Sequence, residues 1–147
     1  MKRYDSKFKK IKENDSNVSY KASVLVEMSE DDYERGYIGR SSIFKDFTLK
    51  NRDLEKLLEM VADEVYAPSH KDLEYQGNVN DYNFGTELWY SYIGDENGYP
   101  VTEKNPKYKQ WKNGEIVLYG VSAHIIVSRV GESPVSEDEL KQAGIKV

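Results

Sequence analysis

Apolar residues recur at helical spacing in one stretch of this chain and alternate with polar residues in several others. Over residues 51–66, Leu54, Leu57, Leu58, Val61, Ala62 and Val65 fall at i, i+3, i+4, i+7, i+8 and i+11. That period predicts an amphipathic helix with one broad apolar stripe, which needs a sheet or other helices to cover it. Asn51 is the expected N-cap. Asp53 and Glu55 suit the positive end of the helix dipole, and Pro68 is the expected stop. The outward side carries Glu59, Asp63 and Glu64 in the last two turns, where the dipole disfavours negative charge. Glu55–Glu59 and Glu59–Asp63 are also like-charged i, i+4 pairs, each costing roughly a few tenths of a kcal/mol.

Period two appears elsewhere. Over residues 19–28, Tyr20, Ala22, Val24, Val26 and Met28 share one face, with Lys21, Ser23, Leu25 and Glu27 on the other. This predicts a half-buried strand. Residues 43–49 predict a second, with Ile43, Phe47 and Leu49 on one side, although Lys45 shares that side. Residues 84–93 predict a third with large groups on both faces: Leu88, Tyr90 and Tyr92 against Trp89 and Ile93. The longest strand is expected over 115–130. Its apolar parity switches at Gly120, from Ile116 and Leu118 to Val121, Ala123, Ile125 and Val127, which predicts a bulge or sharp bend there.

Punctuation fills the rest. Residues 29–35 read as an acidic loop or short helical turn, with Ser29 as a cap, and residues 67–83 as a long polar connection. Asn97-Gly98 predicts a turn. Asn105-Pro106 opens a short helix that Gly114 closes, with Tyr108 and Trp111 sharing a face. Ser136 and Glu139 form a capping box, Val135 and Leu140 a hydrophobic staple, and Gly144 a left-handed stop, so a helix is expected over 137–143. The order is β-β-α-β-(α)-β-α. It predicts an α+β fold: a mostly antiparallel sheet of about four strands packed on one amphipathic helix, with short extra helices. Residues 18–147 are expected to form one domain behind a basic arm of residues 1–17.

Charge changes this picture. Residues 1–14 carry net charge +4 and the remainder −9, for a total of −5. A basic arm suits nucleic acid, whereas an acidic body argues against a phosphate partner. With no cysteine in the chain, disulfides, thiol catalysis and cysteine-ligated zinc are excluded. There is no apolar run of signal-peptide length and none near 18 residues, so a cytoplasmic protein off the membrane is expected. Lysines outnumber arginines 16 to 5, a usage found in AT-rich genomes such as those of many Gram-positive bacteria and their phages.

Catalytic motifs are lacking: there is no phosphate loop, no dinucleotide fingerprint and no nucleophile elbow. His70, alternating with Asp72 and Glu74, is one metal candidate, and the run Glu30, Asp31, Asp32 is another without calcium-loop spacing. No metal or cofactor is expected. A small metal-dependent hydrolase built on carboxylates, Glu87 the first candidate among them, with His70 or His124, is a further alternative. The remaining feature is the aromatic content of the second half. The expectation is a non-enzymatic protein-binding module, such as an accessory or inhibitor protein of a phage or other mobile element. Its expected surface is acidic and aromatic: Glu30, Asp31, Asp32, Glu59, Asp63, Glu64, Trp89, Tyr92, Tyr99, Tyr108 and Trp111. A nucleic-acid binder using the arm and the aromatics is the alternative.

Overall fold

A computed structural model describes residues 19–32, 37–79, 84–130 and 133–147, with side chains placed outside 30–32 and 37–43. The basic arm lies outside the described residues. The described residues are α+β with one antiparallel sheet. Strands β1 (Tyr20–Asp32) and β2 (Tyr37–Asn51) are followed by helix α1 (Leu54–Glu64), a 3-10 turn (His70–Asp72), and strands β3 (Glu74–Val79) and β4 (Gly85–Gly94). Helix α2 (Pro106–Lys112), strands β5 (Leu118–Arg129) and β6 (Ser133–Pro134), and helix α3 (Glu137–Gln142) complete it. The spatial order is β2-β1-β5-β4-β3, with β6 paired to the end of β5.

The sheet holds six strands, two more than expected. One added strand is β3, in the stretch taken for a polar connection. As a sheet edge it satisfies its backbone against β4 and buries little side chain, so it leaves no apolar signal. The first part of the acidic stretch, residues 29–32, is likewise strand and not loop, while residues 33–35 lie outside the described residues. Glu30, Asp31 and Asp32 extend β1, with Asp31 and Asp32 in register with Ile38 and Tyr37 of β2. Pairing in a long hairpin outweighs the poor strand propensity of aspartate.

One face of the sheet is covered. Val24, Val26, Ile125, Leu88, Val121 and Val127 point to it and are buried with Leu57, Leu58, Val61 and Val65 of α1. Lys45, which broke the expected parity, does lie on this side and reaches past the sheet to pair with Glu64. Helix α1 starts later than expected. Asp53, not Asn51, is the N-cap, accepting from the Lys56 N–H, while Asn51 still belongs to β2 and accepts from the Asp53 N–H. Its stop is Tyr66, at φ 58°, ahead of Pro68. The Ala67 N–H then donates to the Ala62 carbonyl at 2.9 Å, a Schellman closure that usually uses glycine.

The parity switch in β5 is not a bulge. Its pairing with β1 and β4 runs through Gly120 without a shift. Instead, the covered face changes: Leu118 packs under α2 with Trp111 and Val101, on the side opposite α1. The shifts occur in the β1–β2 pair, at Val26/Glu27 and Ser29/Asp31, and in β3 at Tyr75/Gly77, where Gly77 takes φ 128°. Helix α3 is as predicted. Both capping-box bonds form, and the Ile145 N–H donates to the Leu140 carbonyl with Gly144 at φ 95°. Val135, Leu140, Ala143 and Ile145 enter the main core, so the C-terminus is docked.

Candidate functional site

Three places gather side chains that chemistry or recognition could use. The first is the sheet face away from α1. Register builds it in cross-strand rows. One row runs Asp46, Leu25, His124, Trp89, Glu74, and the next runs Thr48, Ser23, Ile126, Glu87, Gly77. Glu27 and Ser122 begin a third. Around Leu25 and Ile126 lies a concavity of about 370 Å3 whose lining includes Ser23, Glu27, Asp46, Val79, Glu87 and His124. His124 Nδ1 stands 3.7 Å from Glu87 Oε2, and its ring meets the Trp89 indole edge to face at 4.3 Å. Gly85 makes room for Ile126, because a Cβ there would lie 2.5 Å from Ile126 Cγ2. Glu87 and His124, suspected separately as catalytic groups, are thus neighbours. The spacing exceeds a hydrogen bond, so the pair is not a formed base–orienter unit.

The second place is the C-terminal end of α1. Glu59, Asp63 and Glu64 are exposed there, and no basic residue occupies the last turn. Tyr66 follows at once, 41% exposed, with its ring 6.1 Å from Tyr92 and 5.8 Å from Tyr99 in edge contacts. Tyr99 is 55% exposed. Tyr92 is the supporting member: its hydroxyl donates to the Gly98 carbonyl at 2.9 Å, and burial drives its pKa well above the usual tyrosine range. Asp95 shapes the adjoining turn by accepting from the N–H groups of Asn97 and Tyr99.

The third place is a corner between α1 and the 3-10 turn. Donor atoms of Glu55, Glu59 and His70 lie within 4.8 Å of one another. The carboxylates are a helical i, i+4 pair and the histidine is 7% exposed. A divalent cation could use such a set. However, His70 Nε2 already donates to the Ala143 carbonyl at 2.8 Å and stands 3.3 Å from Glu55 Oε2. Its first role is therefore to satisfy a buried carbonyl at the end of α3 and to join α3 to α1. Asp72 and Glu74, the partners expected from sequence, do not complete this corner; Asp72 lies near Tyr90, whose pKa burial and that carboxylate both raise.

The expected binding residues are dispersed accordingly. Asp63 and Glu64 are exposed in the last turn of α1, Glu64 paired with Lys45, with Glu59 one turn back; Tyr92 and Tyr99 flank Tyr66 just beyond the helix, and Trp89 stands on the open face. Tyr108 and Trp111 face each other at 5.5 Å in α2, but Trp111 is only 7% exposed and fills the smaller core. Glu30, Asp31 and Asp32 lie on β1, their side chains outside the described set. Tyr66 was missed, because an aromatic residue ending a helix carries no sign of a positive φ. Comparisons with protein-family models, curated proteins and solved structures give no match to this chain. The functional reading therefore rests on these residues. Among the described residues, no helix is long and apolar enough to cross a membrane.

Proposed function

We propose that the protein is a non-enzymatic binding module that engages a basic partner protein through the end of α1. The observation that carries this reading is Tyr66: an exposed aromatic held in a left-handed backbone conformation at the end of the helix that exposes Glu59 and Asp63. A tyrosine in that conformation costs about 1 kcal/mol or more relative to glycine, and strain of this kind gathers at functional sites. Tyr66 and Tyr99 supply amphipathic area at low entropy cost, as interface anchors do. The acids supply charge complementarity, which steers association and selects a positive partner. A basic nucleic-acid channel on the partner is one surface such an acidic face would fit. That is the mode of an inhibitor encoded by a phage or other mobile element, an origin supported by composition.

The test is capture from a nuclease-treated bacterial lysate by the tagged full chain, in parallel with a Glu59→Lys/Asp63→Lys variant and a Tyr99→Ala variant. The native chain should retain one basic protein stoichiometrically and release it as salt rises, since exposed charges are screened beyond about 10 Å at 0.1 M. Both variants should lose it. Retention by the lysine variant, or a complex indifferent to salt, would sink the proposal. Recovery of nucleic acid alone, with nuclease omitted, would shift the weight to the basic arm.

A further inference from the structure

We propose that the concavity on the open sheet face is a binding site for a small organic cation: an amidinium, guanidinium or ammonium group on an apolar body. The site lies on the side of the sheet opposite α1 and does not depend on the partner proposed above.

The apolar part of the argument is the floor. Antiparallel sheets with one free face normally place polar side chains there. Here Leu25 and Ile126 sit diagonally at the centre, half-buried, with Val79 beside them. The depression of about 370 Å3 falls in the size range of small-molecule sites. The polar part is the rim. Glu27, Asp46 and Glu87 come from β1, β2 and β4, so three separate strands deliver carboxylates around one apolar depression. Among the described residues, no lysine or arginine lines it. Among the described residues, neither Glu27 nor Asp46 has an ion-pair partner, and Glu87 has only His124 at 3.7 Å. Lys21 and Lys50 face the same side one row beyond Ser23 and Thr48, outside the ring of carboxylates. Such a site repels anions and offers a neutral ligand only its floor. A cation with an apolar body uses both parts.

Benzamidine is the probe, with neutral benzamide and anionic benzoate as near-isosteric controls. The full chain is titrated at pH 8 and low salt, following backbone amide signals by NMR and the Trp89 indole N–H, which sits beside His124 in the same row. Benzamidine should produce saturable shifts at Leu25, His124, Ile126 and the Trp89 indole, with Kd on the order of 1 mM for so small a ligand. Benzamide should bind several-fold more weakly and benzoate not at all. Glu27→Gln and Glu87→Gln should each weaken benzamidine roughly two- to fivefold, the range of an exposed ion pair. Both substitutions are conservative surface changes, and their amide spectra report that the fold persists. Equal binding of benzamide, shifts confined to α1 or the Asp95–Tyr99 turn, undiminished binding by the Gln variants, or no saturation by about 20 mM would each overturn the proposal. Glu59→Lys/Asp63→Lys should bind benzamidine as the native chain does, so the two proposals fail separately.

Discussion

The two faces of one sheet differ in how completely each position is used. On the α1 side, the row Phe47, Val24, Ile125, Leu88, Tyr75 is apolar throughout, and its middle three members are fully buried. On the other side, the adjacent row Asp46, Leu25, His124, Trp89, Glu74 mixes two acids, a histidine and two large apolar groups, none of them buried. The covered row contributes stability. The open row costs little to change and so is where recognition chemistry can reside.

Two neighbouring isoleucines measure that contrast most strongly. Ile125 is fully buried, and Ile125→Ala should cost about 2–5 kcal/mol through lost transfer energy and the cavity left behind. Ile126, the next residue, points to the open face, and Ile126→Ala should cost about 1 kcal/mol or less. Urea unfolding of the two variants side by side checks this. Equal losses would mean that the open face is covered in solution.

How much of this was legible in the sequence follows from where each signal resides. Elements held by local side-chain rules were readable: α3 from Ser136 and Glu139, α2 from Asn105-Pro106, and α1 from its stripe. Elements held by backbone pairing were not. The β3 edge shows only the polar run EYQGNV, and Glu30 to Asp32 are strand because β2 lies opposite. The Gly120 inference failed for a related reason. Alternation reports which face is covered, and α2 covers the opposite face only around Leu118. The sites were less legible still. Glu87 beside His124, and His70 beside Glu55, depend on register and on packing between elements distant in sequence, which no local pattern encodes.

Carboxylates on the two sides offer the next test. Glu139 anchors α3 on the covered side. It accepts from the Tyr20 hydroxyl at 2.7 Å, from Arg129 Nη2 at 2.7 Å and from the Ser136 N–H at 3.0 Å. Burial alone would raise its pKa, but these hydrogen bonds outweigh it and hold the carboxyl below the usual range, while burial and the same bond push Tyr20 up to about 12. A depressed folded pKa contributes stability above the unfolded value, near pH 4.3, that is lost as pH falls through the folded value. Glu139→Gln should therefore destabilise the protein by about 1–3 kcal/mol at pH 7, and the gap to the native chain should close below about pH 4. Glu27→Gln, on the open face, should change stability at pH 7 by no more than about 0.5 kcal/mol. Thermal melts from pH 3 to pH 7 would distinguish the two. A gap at Glu139 that persists into acid would mean that its hydrogen bonds do not require charge.

Tyr66 stands at the margin of the covered side, and its effect should be the smallest because two terms oppose. Tyr66→Gly relieves the left-handed backbone, a gain of about 1 kcal/mol, and removes edge contacts with Tyr92 and Tyr99 that contribute about 0.5–1.5 kcal/mol each. The net change should be a loss of about 0–2 kcal/mol. Tyr66→Ala loses the same contacts but keeps the penalty, so it should be less stable than Tyr66→Gly by about 1 kcal/mol. Chemical denaturation of both variants isolates the strain, because the contact term cancels between them. Equal stabilities would remove the energetic reason for treating Tyr66 as a selected outlier, and with it the observation that points to the end of α1. A clear difference would mean that the chain keeps a tyrosine at a position whose backbone favours glycine. Partner capture should then fail in both variants alike, since what binds is the ring and not the backbone that presents it.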